Sequence, residues 1–219
     1  MAKHSSSSGD HVKDVQAATK AERAALAGDL ATLTEDAWTQ PSLWGLWNVE
    51  DVVAHLTAGA SLGRLRWMSS VIGARFDFDK HNARRLAEHR GSSPAETLAR
   101  FQAVIPRTTS TFGPKEAWLG EVVIHGQDIR RAVGIDYSPP IDTLTHLAGF
   151  LARTNFTVAS KDAVKGVRLQ AVDGPFATGT GPLVEGTTLV LIMAMAGRTT
   201  YHQDLTGPGV ASIGATGTA

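Results

Sequence analysis

The chain has 219 residues, 42% of them apolar, which is enough for a sizeable core and lies between one large domain and two small ones. Lysine plus arginine and aspartate plus glutamate both total 21, so the formal net charge is zero and no basic surplus points to nucleic acid or to an anionic membrane. Cysteine is absent, which excludes disulfides, thiolate metal sites and cysteine nucleophiles, and is in keeping with a reducing cytoplasm.

Residues 1–12, with serine at 5 to 8, contain no apolar stretch of the kind a secretory signal needs, and read as a disordered tail. Ala, Leu and Glu at helical spacing predict a first helix over 15–33. A loop with Trp38, Pro41, Trp44, Gly45 and Trp47 comes next. Its tryptophans, with Trp67, read as core and loop anchors, since no basic residues interleave them as in a stacking platform. Asn48 with Asp51 three residues on resembles a capping box, so a second helix starts at Val49. Its apolar face carries Val49, Val52, Val53, Leu56 and Ala60, with His55 at the edge.

The mixed charges of 76–90 read as a loop and a short exposed helix. Ser93, Pro94 and Glu96 form a strong start signal for a third helix running to about Thr111. A fourth helix over 114–133 stops at Gly134, the residue type favoured just past a helix end. A fifth is expected over 141–160 as a linking helix. From Lys165 the period becomes two: Val167, Leu169 and Ala171 alternate with Arg168 and Gln170, as in a half-buried strand. An apolar helix then runs from Thr187 to Gly197. The longest apolar stretch, near Thr188 to Ala196, is far short of the ~20 residues that cross a bilayer, so a soluble protein is expected.

The chemistry concentrates on the fourth helix. Glu121 and His125 are four apart and Asp128 is three further on, so the three share a helical face. The apolar seam of that helix, Trp118, Val122, His125, Ile129 and Ala132, takes His125 into the packed face, with Glu121 and Asp128 on its flank. Burying an imidazole and a carboxylate uncompensated costs several kcal/mol, so a cation or an ion-pair network has to stabilise them. Two readings stay open. In one, His55 joins Glu121 and His125 as ligands of a divalent ion such as zinc, leaving an open position for water or substrate. In the other, His125 is a satisfied core histidine and Glu121 pairs with Arg130 or Arg131. Arg198, after Gly197, either compensates a helix C-terminus or holds a carboxylate. The remaining histidines, His4, His11, His81, His89, His146 and His202, read as exposed or structural.

Three strings together carry a family resemblance: Trp47 to Gly59 (WNVEDVVAHLTAG), Gly120 to Arg130 (GEVVIHGQDIR), and Ala196-Gly197-Arg198 with Asp204 to Val210 (DLTGPGV). The chain resembles the mycothiol-dependent maleylpyruvate isomerase family of the DinB-like superfamily, over nearly its whole length after the tail. The resemblance implies a mainly helical fold, a DinB-like four-helix metal-binding bundle over residues 13–160 including the linking helix, then a small α/β domain over 161–219. It implies His55, Glu121 and His125 as metal ligands, Asp128 as an acidic group near the metal and Arg198 as an arginine facing substrate carboxylates. A divalent ion, zinc by ligand type, would favour the thiolate of mycothiol or a similar thiol for addition to a small electrophile. The expected function is therefore a thiol-activating metalloenzyme of isomerase or S-transferase type. Its partners are a small-molecule substrate and a thiol, with no nucleic acid and no membrane. Beyond Arg198, Arg64, Arg66 and Arg84 are the cations open to a dianionic substrate. The rivals are a non-catalytic, metal-stabilised binding module and, third, metal-assisted hydrolysis with Glu121 or Asp128 as base.

Overall fold

A computed structural model describes residues 8–61, 88–107 and 113–214, and the chain divides into two compact units, Met1–Asp136 and Tyr137–Ala219. The charged stretch 76–87, with Arg64, Arg66, Arg84, His81 and Trp67, lies outside the described residues. Among those described, no helix is long and apolar enough to cross a membrane.

Among the described residues of the first unit, the helices in chain order are α1 (Ser8–Leu30), a short α2 (Glu35–Thr39), α3 (Val49–Ser61), α4 (Pro94–Val104) and α5 (Lys115–Val133). Packing pairs α1 with α5, α5 with α3, α3 with α4 and α4 with α1. The four long helices among the described residues thus close a ring. The first helix begins at Ser8, inside the segment that reads from sequence as tail, because extending an existing helix costs far less than nucleating one.

The start of α3 is the expected reciprocal cap: Asp51 N–H donates to Asn48 Oδ1 at 2.9 Å and Asn48 N–H to Asp51 Oδ2 at 3.3 Å. The cap of α4 is the expected Ser93. Ser93 Oγ accepts from Glu96 N–H at 3.3 Å, but the Glu96 carboxylate takes the N–H and hydroxyl of Ser92, at 2.7 and 2.6 Å. The bonds from Ser92, with Arg100 adding its hydrogen bond and charge, hold the Glu96 carboxyl at about 2, below its usual 4.5. α4 ends at Val104 and not near Thr111, since Pro106 has no N–H to continue the ladder. Arg23 of α1 donates instead to the carbonyl of Arg107 at 3.0 Å, and burial pushes its guanidinium pKa down.

Glu50 of α3 is buried and accepts from Thr97 Oγ1 at 2.8 Å and from Arg90 at 2.6 Å. Arg90 also reaches Asp51 at 3.0 Å, so one guanidinium ties the chain before α4 to the capped end of α3. α5 is buried at every residue from Val122 to Arg130. Its Arg130 donates Nε to Asp29 of α1 at 2.7 Å. Gly134 ends it in the left-handed region at φ 74°, returning its N–H to the Arg130 carbonyl.

In the second unit, α6 (Ile141–Leu151) packs on α8 (Thr188–Met195) through the buried Leu144, Leu147, Ala148 and Leu151. This corrects the sequence-based boundary at 160/161: the expected linking helix shares a core with the C-terminal elements, so the division falls after Asp136. The helix also ends at Leu151, short of 160. Thr154 to Val158 are poor helix formers, and Ser160 Oγ bonds back to the Leu151 and Thr154 carbonyls at 2.9 and 2.8 Å. After the single turn α7 (Ser160–Ala163), three strands form, β1 (Arg168–Ala171), β2 (Ala177–Gly179) and β3 (Leu183–Gly186). β1 is central, antiparallel to β2 and parallel to β3. The expected alternation holds, with Val167, Leu169 and Ala171 buried against the core.

Two of these ties are open to measurement. Thr97→Val should destabilise the protein by about 1–3 kcal/mol in urea unfolding, since the buried Glu50 carboxylate loses a donor and keeps its desolvation cost. For Glu96, a depressed folded pKa contributes stability above the unfolded value of 4.5 that disappears as pH falls to about 2. The stability difference between wild type and Glu96→Gln should therefore be present near about pH 6 and vanish near about pH 2.

Candidate functional site

His55 is one and a half turns into α3, and Glu121, His125 and Asp128 lie along α5, which packs against it. His55 Nε2 and His125 Nε2 approach the same oxygen, Oε2 of Glu121, at 3.3 and 3.4 Å. One donor atom from each of His55, Glu121 and His125 lies within 4.8 Å of the others, a set that could hold a metal ion. The two separations are longer than the 2.9–3.0 Å typical of an N–H···O bond. They match the roughly 3.3–3.5 Å between neighbouring donors around a tetrahedral ion bound at ~2.0–2.2 Å. Two imidazoles and a carboxylate are also the donor types that zinc and related ions take, so the residues present fit such a group.

Asp128 is fully buried, and its Oδ2 lies 3.0 Å from His125 Nδ1. A carboxylate on one ring nitrogen makes that nitrogen the N–H, so that toward a bound ion Nε2 would offer its lone pair. Burial alone would push His125 down, but the bond to Asp128 and then that to Glu121 prevail, so its pKa is raised. Burial likewise pushes the Glu121 carboxyl up, and the bonds from His125 and His55 outweigh it, holding the carboxyl below the usual range. Glu121 keeps 39% of its side-chain surface open, so solvent screens part of this coupling.

The ion-pair alternative of the sequence is not the arrangement found: Glu121 faces two histidines, and Arg130 donates Nε to Asp29. The depth of Asp128, expected on the flank of α5, comes from the loop over it. Leu43 N–H donates to the Asp128 carbonyl at 3.1 Å, and Pro41 and Asn48 bridge the base of that loop. Sequence reasoning missed the role of the aromatic rings on this loop. The Trp44 ring lies 4.0 Å from that of His125 and 4.8 Å from that of His55, and Trp47 lies 5.3 Å from His55. Of the described tryptophans in that set, Trp38 is the core anchor, 3% exposed, and Trp44 and Trp47 lie on the loop. The tryptophan spacing around Gly45, a turn residue at φ 61°, was the available signal.

Arg198 belongs to the second unit, where its Nη1 donates to the Ala196 carbonyl at 2.9 Å just past α8.

Residues 19–118 match the family model described as the mycothiol maleylpyruvate isomerase N-terminal domain. The matched span lies within the first unit. The matched span includes Trp44, Trp47 and His55 and stops short of Glu121, His125 and Asp128, which complete the cluster from the end of the same unit. Two solved structures, of the mycothiol-dependent maleylpyruvate isomerase and of a mutant of it, are similar in fold. Each has a TM-score of 0.63 and 13% identity, over 90% of this chain and 92% of the other. No curated protein matches the sequence.

Asp128→Asn should lower zinc affinity by about 10- to 100-fold in a chelator-competition titration, because the amide no longer fixes the His125 tautomer by charge. An unchanged affinity would remove Asp128 from the site.

Proposed function

We propose that the protein is a metal-dependent enzyme that activates a low-molecular-weight thiol, mycothiol or one like it, for addition or transfer to a small electrophile. The reaction is of isomerase or S-transferase type, in the cytoplasm, where reduced thiol is at hand. One observation carries the reading: two imidazoles and a carboxylate from two packed helices converge on one point, in a domain family named for a mycothiol-dependent isomerase. The chain has no cysteine, so the sulfur nucleophile has to come from outside it.

His55, Glu121 and His125 would hold the ion through Nε2, Oε2 and Nε2, the atoms that already face one another. A divalent ion bound there supplies the positive charge that favours the thiolate form of a neighbouring thiol. Asp128 keeps the Nδ1 proton of His125 in place and so presents Nε2 as a base. Trp44 packs against both histidine rings and Trp47 against that of His55, fixing their planes and keeping water from that side. The partly open Glu121 side chain marks the side from which thiol and electrophile enter.

A second reading has its own support. Glu121 bridges both histidines and Asp128 takes the far side of His125, a polar network that satisfies itself and would suit a metal-stabilised binding module. Metal analysis combined with thiol kinetics separates the two. The enzyme reading expects about one zinc-type ion per chain, its loss in His125→Ala, and thiol consumption with an electrophile that falls by at least about 100-fold in that variant. Bound metal whose removal lowers the melting temperature, with no thiol consumed, would establish the binding module instead.

A further inference from the structure

Arg23 lies on the face of α1 that carries the buried Leu26 and Leu30, and is itself only 7% exposed. No carboxylate pairs with it among the described residues. Its bonds all run from one nitrogen: Nη1 donates to the Arg107 carbonyl at 3.0 Å and reaches that of Val104 at 3.5 Å, at the end of α4. Carbonyls at a helix C-terminus are partly negative and offset some of the charge. Nε and Nη2, the edge of the guanidinium that pairs side by side with a carboxylate, make no bond among the described residues. Burial lowers the guanidinium pKa, and no neighbouring carboxylate counters the shift. An enclosed cation without a counter-ion is unfavourable, and an arriving anion relieves it.

The packing of α1 on α5 brings this residue level with the candidate metal ligands. Leu26 lies against Gly126, its Cδ2 3.8 Å from where a Cβ would stand, and one turn further along both helices Asp29 meets Arg130 at 2.7 Å. The two helices therefore run in the same direction. Arg23, one turn before Leu26, falls level with Val122, which is one turn before Gly126 and next to Glu121. Neighbouring axes in a bundle are about 8–10 Å apart, so a small molecule at Glu121, whose side chain is 39% open, spans the gap to α1. A second donor at this level also lacks an acceptor. Trp118, three residues before Glu121 and so its neighbour on α5, has its indole Nε1–H buried with no hydrogen-bond partner among the described residues.

The geometry points to Arg23 as the anion anchor of the site: its Nε and Nη2 edge takes a carboxylate of the electrophile while the thiol adds at the other end of the same molecule. The inference rests on the thiol-activating reading above and gives the electrophile a class, a carboxylate-bearing activated alkene. In that reaction the S–H bond breaks, the sulfur bonds to the β-carbon of the alkene and the proton ends on the α-carbon, so no oxidant or reductant takes part.

The test uses the full-length, zinc-loaded protein with mycothiol as the thiol and two acrylamides that differ only at their remote end, N-acryloylglycine and N-acryloylglycinamide, each corrected for the uncatalysed rate. The carboxylate should have kcat/KM higher by about tenfold or more. Arg23→Lys keeps a charge and a donor for the α4 carbonyls but not the paired edge, and should remove most of that advantage through KM. Arg23→Gln takes its place if Arg23→Lys does not fold. An equal or reversed preference in the wild type, or a preference unmoved in the variant, overturns the anchor, reduces Arg23 to a cap of α4 and leaves thiol activation standing. The two saturated thioether adducts with mycothiol, titrated calorimetrically, give a readout independent of turnover. Tighter binding of the carboxylate adduct, lost in the variant, supports the anchor even if neither acrylamide is consumed, in which case only the enzyme reading falls. Equal binding of the two overturns the anchor.

Discussion

His125 is held from both sides, by Asp128 through Nδ1 and by Glu121 through Nε2, inside a helix that is buried over a continuous stretch. Most of the first unit can be understood from that constraint. A buried imidazole between two carboxylates is tolerable only if every polar atom is paired, and the pairing consumes side chains from α5 and α3, while the loop before α3 adds a backbone N–H to the Asp128 carbonyl. α5 is consequently the centre of the unit and not one face of it. It packs on α1 and α3 and is roofed by the turn that bonds to the Asp128 carbonyl.

The peripheral ties serve the same geometry. The reciprocal cap at Asn48 and Asp51 sets where α3 begins, hence where His55 falls one and a half turns later. Arg90 and Thr97 satisfy the buried Glu50 at that same end, so the register of α3 against α4 is held by charge as well as by packing. Asp29 and Arg130 do likewise between α1 and α5. Each is a local interaction of ordinary strength, and together they leave His55 and Glu121 little freedom to part.

Much of the fold was legible in the sequence because its signals are local. Caps, the prolines, Gly134 and the change of period from 3.6 to two act within a few residues, and they place α3, α4, α5, β1 and α8 close to where they form. The errors arose where a distant contact overrides a local pattern. Apolar periodicity carried the helix after Pro140 too far and assigned it to the bundle, yet its leucines pack on α8, and Ser160 turns the chain back onto its end. The Ser93 cap of α4 forms as its sequence indicates, and only the Glu96 carboxylate departs from the box, turning to Ser92 along the local backbone path.

By itself the sequence determined the chemical inventory: no thiol of its own, a neutral balance of charge, and two histidines and a carboxylate on separate amphipathic helices. Those come from composition and from the helical period, which act along the chain. Tertiary structure alone decided that the three donors share a point, that Asp128 lies beneath them, and that Trp44 and Trp47 stand beside the ligands and not in the core. Such facts depend on which helix packs against which and on where a short loop folds back, and no local preference of either partner encodes a contact between residues more than 60 positions apart.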